Sequence, residues 1–485
     1  MVAEAAAGLV LLPLLAACAL LVLPQRALAL PALAGLLPLP LLALPLLAAV
    51  AQHGVVELAV AGFDRPLGIV WRLDALAAAL LALSAVVGLL AGLHAVHAYP
   101  PASAVGRRFW ALWMLLLSGM HALLLSGDLF NLYVTLELVT LAAIGLLVVD
   151  GKPAALRAAM RYLLLALLGS LLYLLGVALV YGQAGTLDLA QAAQRLPPGE
   201  LAVTALVLMT AGLLVKSAIF PLHGWLPAAH GNAPGPVSAI LSALVVKVSI
   251  YIVWRLWLWL AADWPLGRAL PLLGALGAAA IVYGSLLALV QARLKMVVAY
   301  STVAQLGYLM LVFPLAGALG YTAAGVHLIS HAMAKAAMFL AAANLLAAHG
   351  SDRLDALAGA DRRAPVDVFA LAIAGVSILG LPPSGGFVAK WLMLQAAWAQ
   401  AGWVWVAVIV AGGLLAAAYL FRVLALLCAR PAPAAASAVA KGAAAVPRTA
   451  SVIALLLALA ALAVGLVPIP VLDFLGRGLP PGMAP

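Results

Sequence analysis

The chain has 485 residues, of which 67% are hydrophobic and 8% charged, with a formal net charge of +10. So little charge excludes the soluble globular class, where charged residues make up about a quarter of the chain. It also moves the explanation of the positive balance from nucleic acid to membrane topology.

A membrane-crossing helix needs roughly 20 apolar residues. Fourteen stretches are predicted to supply them: 4–24, 27–50, 73–97, 108–126, 128–149, 158–182, 201–222, 235–260, 269–291, 296–315, 319–347, 366–398, 403–427 and 450–472. Glu4 precedes the first run and no basic segment does, so that run reads as a retained span and not a cleaved signal peptide. The Leu/Pro-rich stretch 28–48 is the most irregular of the fourteen. His94 and His97, near the end of the third span, read as interfacial.

Four lysines interrupt the apolar stretches, Lys216, Lys247, Lys335 and Lys390, and Glu137 joins them in the run LFNLYVTLELVTLAAIGLLVV. Each such group costs about 2.5–3.5 kcal/mol at a helix centre, and the five together on the order of 12 kcal/mol. A scaffold could carry leucine at every one of these positions, so the cost points to charge or proton movement. A lone carboxylate or ammonium in an apolar span is driven toward its neutral form, whereas the two together stay charged. An ion pair that opens and closes is therefore a proton-moving device, and Lys216 is the preferred partner of Glu137.

The segment from Lys216 to Leu256 contains Pro221, Gly224 and Pro227, which break any helix passing through, with His223 and His230 flanking the interruption. Broken helices at membrane depth occur where the backbone lines a cavity or is buried in protein. Lys216 is able to snorkel to an interface; Lys247, with about ten apolar residues on either side, is not. In the tenth span, Tyr300, Ser301, Gln305 and Tyr308 make a helix polar enough to line a wet path. The eleventh contains GVHLISHAMAKAAMF, where His327, His331 and Lys335 fall at i, i+4 and i+8 on one face. The run lacks the glutamate of H-E-x-x-H and offers no third metal ligand, and a lysine one turn on repels a cation. Two histidines and a lysine suit a proton relay; hydrogen bonding between helices is the alternative.

Past the loop cluster Asp352, Arg353, Asp355, Asp361, Arg362 and Arg363, read as a solvated face, a second break falls at GLPPSGGFVAKW, ahead of Lys390. Interrupted spans in corresponding places point to inverted-repeat transporters. Five spans separate the two breaks, so spans 4–8 and 9–13 are candidate inverted halves. Residues 431–448 read as a low-complexity linker. Cys18 and Cys428, the only cysteines, read as small apolar core residues. Without C-x-x-C, Walker A or a dinucleotide fingerprint, ATP hydrolysis and bound redox chemistry are not expected; neither a cofactor nor a metal is expected.

Outside the four intramembrane lysines, the basic residues divide 15 to 6 between alternate loops. The rich set, which includes Arg107, Arg108, Arg293, Lys295, Arg362, Arg363, Lys441 and Arg448, is expected to face the cytoplasm. The poor set is Arg65, Arg72, Arg195, Arg255, Arg268 and Arg477, and both termini are expected on its side.

GDLFNLYVTLE, the Lys216–Leu256 segment, LKMVVAYSTVAQLGY, HLISHAMAKAAMF and GLPPSGGFVAKW together resemble the proton-conducting antiporter-like membrane subunits. That superfamily embraces antiporter-like subunits of complex I, of membrane-bound hydrogenases and of Mrp-type cation/proton antiporters. The resemblance spans about residues 105–425. It implies an all-α polytopic protein of about fourteen transmembrane helices, with discontinuous helices and two inverted five-helix repeats. The expected division is 1–106 for helices 1–3, 107–262 and 263–428 for the repeats, and 429–485 for the linker and last helix. The resemblance implies Glu137 and Lys216 as a coupling pair, Lys247 as central relay, His327 and His331 as connecting groups and Lys390 as distal proton site. The wording around Glu137 and the lysine at 390 are most similar to the D-type Mrp subunits, with the complex I and hydrogenase types as the alternative. The implied partners are other membrane subunits, protons with Na+ or K+, and the lipid of a bacterial-type cytoplasmic membrane; nucleic acid is not among them.

Overall fold

The computed structural model describes residues 1–483, apart from 64, 66, 67 and 431–443. Lys441 and most of the expected linker therefore lie outside the described residues. Apolar runs too long for a strand fold into helices because a helix satisfies its own backbone, the only open arrangement that hydrocarbon tolerates.

In chain order the helices are α1 (Val2–Val22), an interrupted apolar span α2 (Gln25–His53), α3 (Ala75–Ala95), α4 (Ala104–Leu125), α5 (Leu129–Leu147) and α6 (Pro153–Ala184). Then come α7 (Glu200–Lys216), α8 (Leu226–Asn232), α9 (Gly235–Leu260), α10 (Ala269–Val290), α11 (Leu294–Met310) and α12 (Ala318–His349). The last are α13 (Pro365–Leu379), α14 (Gly385–Ala399), α15 (Trp403–Leu427), α16 (Arg448–Leu466) and α17 (Ile469–Gly476). Among the described residues, eleven helices are long and apolar enough to cross a membrane. The other three expected spans coincide with α7 and α11, of 17 residues each, and with the pair α13 and α14, of 15 each. Shortness has a visible cause. Helix α7 stops at Lys216 before the Pro/Gly cluster, and α13 stops at Gly380, in the left-handed conformation at φ +81°.

A small antiparallel hairpin, β1 (Val56–Ala59) and β2 (Val70–Leu73), departs from the expected all-helical plan. It links α2 to α3 on the face poor in basic residues, and its charges pair locally. Arg65 meets Glu57 at 3.0 Å and Asp188 at 2.6 Å, and Arg72 meets Glu57 at 3.1 Å. The Arg65 hydrogen bond holds the Glu57 carboxyl below its ordinary range.

A periodicity runs through the middle of the chain. Helices α4, α6 and α7 begin at residues 104, 153 and 200, and α10, α12 and α13 begin 165 residues later, at 269, 318 and 365. Both α6 and α12 contain 32 residues and end on left-handed glycines, Gly185 and Gly350. The residue before α5, Asp128, bridges to Asp188, and the residue before α11, Arg293, bridges to Arg353, again displaced by 165.

Four sequence expectations need correction. Cys18 and Cys428 are exposed on the helix surface, not in the core: small apolar side chains are as well placed against lipid as inside. His94 is buried and bonds Asn344 Oδ1 at 2.9 Å, because α12 supplies a partner at its depth; His97 is exposed, as expected. Asp352 does not belong to a solvated face, since Arg293 covers it at 2.9 Å. Arg255 and Lys295, counted with the loop cations, are both buried.

Candidate functional site

The site begins with a close helix contact. Gly169 on α6 and Gly212 on α7 face each other, and a Cβ on Gly212 would overlap the Gly169 carbonyl oxygen. Neither position has room for a side chain, so the two backbones touch. That approach sets Ser170, the next residue, and Lys216, one turn on, against α5. There Lys216 Nζ reaches Glu137 Oε1 at 2.5 Å and Thr140 Oγ1 at 3.1 Å, and Ser170 Oγ donates to the same carboxylate. The side chains are 2% and 17% exposed for Lys216 and Glu137, so this ion pair is an interior one. We expect Gly212→Ala to cost about 1–3 kcal/mol by overpacking and to part the pair, measurable as a lower unfolding temperature together with slower proton uptake.

The expected break after Lys216 is present. The Trp225 indole donates to Val215 O at 2.9 Å and stacks on Tyr162 at 3.9 Å, which anchors the chain as it turns into α8. His230, in α8, is buried and stacks on Phe339 of α12.

Lys247 is 1% exposed. Its ammonium donates to the carbonyls of Ser242 at 2.7 Å and Ala243 at 2.9 Å. Both belong to a π-helical turn, Leu241–Val245, whose carbonyls are offset from the regular helical ladder. From there a bonded chain crosses to the second half. Ser242 Oγ meets Thr302 Oγ1 at 2.9 Å, Thr302 Oγ1 donates to Val298 O at 3.0 Å, and Lys335 Nζ donates to the same carbonyl at 3.1 Å. Because the Thr302 proton is used on Val298, Ser242 is the donor in the hydroxyl pair. Lys335 also donates to Ser301 Oγ.

The line continues along α11 and α12. His327 Nε2 donates to Gln305 O at 3.2 Å, the acceptor fixing that tautomer. The His327 ring lies 5.4 Å from His331 and 5.3 Å from Tyr308. Several buried polar atoms here have no protein partner: both ring nitrogens of His331, both amide atoms of Gln305, His327 Nδ1 and the Tyr419 hydroxyl. Polar atoms so placed are ordinarily satisfied by buried water.

Lys390 ends the line. Its ammonium donates to Ile378 O at 2.8 Å and Leu379 O at 3.0 Å, the carbonyl end of α13, and sits 4.7 Å over the Tyr308 ring. Carbonyls at a helix end and an aromatic face both favour a cation. Lys216 is the last residue of α7 and Lys390 reaches back to the end of α13, so both breaks place an ammonium at the end of their first half-helix. The partners differ: Glu137 serves the first, backbone carbonyls and a ring the second.

All seven residues singled out by the sequence thus lie inside the bundle. Lys247 and Lys335 share one bonded chain, while His327 meets Gln305, Tyr308 and His331, and Lys390 sits over Tyr308. Among the described residues no hydrogen bond joins the Glu137–Lys216 pair to Lys247, and no group of three or more His, Cys, Asp or Glu could hold a metal ion. The sequence reading missed Thr140, Ser170 and Thr302, common residue types that stand out only once the fold sets them beside Lys216, Glu137 and Ser242.

Interrupted apolar helices around buried ionisable and hydrogen-bonding groups define a multi-pass, all-α membrane protein. Residues 126–416 match the family described as NADH:quinone oxidoreductase/Mrp antiporter, transmembrane. The N-type subunit of an NADH-quinone oxidoreductase from Desulforudis audaxviator is 38% identical over 373 residues, covering 75% of this chain and 74% of that one. The D-type subunit of a Na(+)/H(+) antiporter from Alkalihalophilus pseudofirmus is 29% identical over 373 residues, covering 76% and 74%. A chain in the structure of the Mrp complex from a Dietzia species superposes with a TM-score of 0.89 at 26% identity, over 98% of this chain and 96% of that one. The chain belongs to the NADH:quinone oxidoreductase/Mrp antiporter transmembrane family.

Proposed function

We propose that this chain is a proton-translocating, antiporter-like subunit of a larger membrane complex. Protons pass along Lys216, Lys247, Lys335, the His327/His331 face and Lys390, and the Glu137–Lys216 pair gates them. The observation that carries this reading is the pair itself: two groups 79 positions apart in sequence meet inside the bundle. Closed, the pair keeps both charges; opened, each partner is driven to give up or take a proton. A membrane potential acts on such a charge with about 2.3 kcal/mol per 100 mV, enough to bias its position.

The architecture we propose with it is fourteen passes with two inverted five-helix repeats, 107–262 and 263–428, between helices 1–3 (1–106) and the linker and last helix (429–485). The constant displacement of 165 residues supports the repeats, since an odd number of passes reverses orientation. The charge asymmetry supports both termini on the outer side of a cytoplasmic membrane.

Two assemblies suit such a subunit. The motif wording, Lys390 and the Mrp superposition favour a monovalent cation/proton antiporter in which this chain takes the D-type position. The 38% identity to an N-type oxidoreductase chain favours an electron-driven complex. Everted vesicles holding the chain with its partner subunits separate them. Sodium- or potassium-dependent proton movement that Lys216→Ala abolishes is the antiporter result; proton pumping only on adding an electron donor is the other. Undiminished transport in an assembled Lys216→Ala complex would sink the proton path altogether.

A further inference from the structure

Among the described residues one ion pair has both partners fully buried, and the path above does not use it. Asp74 is the residue before α3 and 1% exposed, and Arg255 near the end of α9 is 3% exposed; Arg255 Nη1 pairs with Asp74 Oδ2. Burying two charges costs several kcal/mol per ion before their attraction is counted, and an apolar pair of similar volume is often as stable. A clasp between α3 and α9 alone would not require charges.

The surroundings are unlike those of a fixed bridge, because each partner is already provided for without the other. Arg255 Nη2 donates to the Tyr251 hydroxyl at 2.8 Å, and the guanidinium lies 4.8 Å over the Tyr251 ring and 4.5 Å over the Trp259 ring. Neutralising Asp74 therefore leaves the arginine a hydrogen-bond acceptor and two aromatic faces, which offset part of the lost counter-charge. Asp74 Oδ1 accepts from Ala77 N at 3.0 Å and caps α3, so the carboxyl stays anchored whether Oδ2 is charged or protonated.

Position supplies the rest. Lys247, Tyr251 and Arg255 follow at i, i+4 and i+8 along α9, so a polar stripe climbs from the central lysine toward the face poor in basic residues. A second π-helical turn, Leu256–Leu260, begins directly after Arg255 and carries Trp259. Trp259 in turn lines an open cavity of about 500 Å³, with Arg65, Arg72, Gln194, Asp263 and Trp264. Tyr321 of α12 packs near Trp254 and Trp259 with its buried hydroxyl unpartnered. Tyr251, Tyr321 and Arg72 are the other titratable or charged groups around the pair.

We propose that Asp74 and Arg255 form the outer gate of the proton path, closing the stripe from Lys247 against the cavity at the basic-poor face. A proton arriving along the stripe binds Asp74 Oδ2, Arg255 shifts onto Tyr251 and Trp259, and the carboxyl releases that proton to water in the cavity. Arg255 keeps its charge throughout and bars other cations while the pair is closed. This inference rests on the proton-path reading given above.

The test uses the assembled complex in vesicles, with Asp74→Asn, Asp74→Glu and Glu137→Gln compared with wild type. Asparagine caps a helix as well as aspartate does, so Asp74→Asn removes the charge and leaves the cap. Expected is roughly a tenfold or greater loss of coupled proton transport in Asp74→Asn, with unchanged assembly and partial recovery in Asp74→Glu. Near-normal transport in Asp74→Asn beside a dead Glu137→Gln would overturn the gate and leave the path standing. Normal transport in both would remove the path, and the gate with it. If Asp74→Asn does not assemble, Tyr251→Phe decides, since it spares the ion pair and its packing. A loss of roughly threefold or more supports the gate, and an unchanged rate refutes it.

Discussion

An assembled complex carrying Glu137→Gln is expected to lose coupled proton transport by about 100-fold or more, the scale on which a positioned acid–base group acts. Glutamine keeps an oxygen for Ser170 and Lys216, so the geometry is preserved while the charge and the exchangeable proton go. Stability should fall as well, because Lys216 is left as a buried ammonium beside Thr140 with no counter-charge. Breaking one side of a buried pair typically costs about 3–5 kcal/mol. Lys216→Met should cost less, since Glu137 is 17% exposed and is able to neutralise or hydrate. The double variant Glu137→Gln with Lys216→Met leaves no stranded charge. It should recover most of the stability and none of the transport. Thermal unfolding of the purified complex and proton uptake in vesicles read the two quantities separately. A double variant as unstable as the sum of the singles would show that the two side chains do not act as a pair.

The sequence was most legible where one residue type carries a strong physical cost. A lysine or glutamate in an apolar run, or a Pro/Gly cluster inside one, is visible without any knowledge of neighbours; Glu137, the four lysines and both breaks stand out that way, and His327 and His331 by their spacing from Lys335. Partnership was not visible. Glu137 and Lys216 could be matched by charge, but Ser170 and Thr140 are ordinary helix residues until the contact between Gly169 and Gly212 puts them beside the pair. The π turn beneath Lys247 was also hidden, because LSALV contains neither proline nor glycine. Arg255 was misplaced for the opposite reason. Near the end of a span a basic residue looks like a loop cation, and its partner Asp74 lies far along the chain at a position that reads as an ordinary helix cap. The positions 104, 153 and 200 share no obvious motif with 269, 318 and 365, so the periodicity shows in helix ends rather than in side chains.

Lys247→Met should separate function from stability more sharply than any other single change. Lys247 is fully enclosed, and no carboxylate is bonded to it; its ammonium rests on the two carbonyls of the π turn and faces a chain of hydroxyls. A buried ammonium held only by neutral dipoles keeps little of the energy it had in water. Methionine has nearly the same length and shape, fills the space without a charge, and leaves the Ser242 and Ala243 carbonyls under-satisfied, a lesser penalty than a buried ion. The expected result is an assembled complex of equal or higher unfolding temperature with coupled transport reduced by about 100-fold. The Lys335 end of the chain gives an internal control. Lys335→Met removes the other ammonium on the same bonded line, so the double variant should transport no worse than either single one, as groups acting in series require. Wild-type transport by Lys247→Met would mean that protons cross without the centre of the line. A large fall in unfolding temperature would mean that the lysine holds the fold, and that the π turn exists to bind it rather than to offer it to a moving proton.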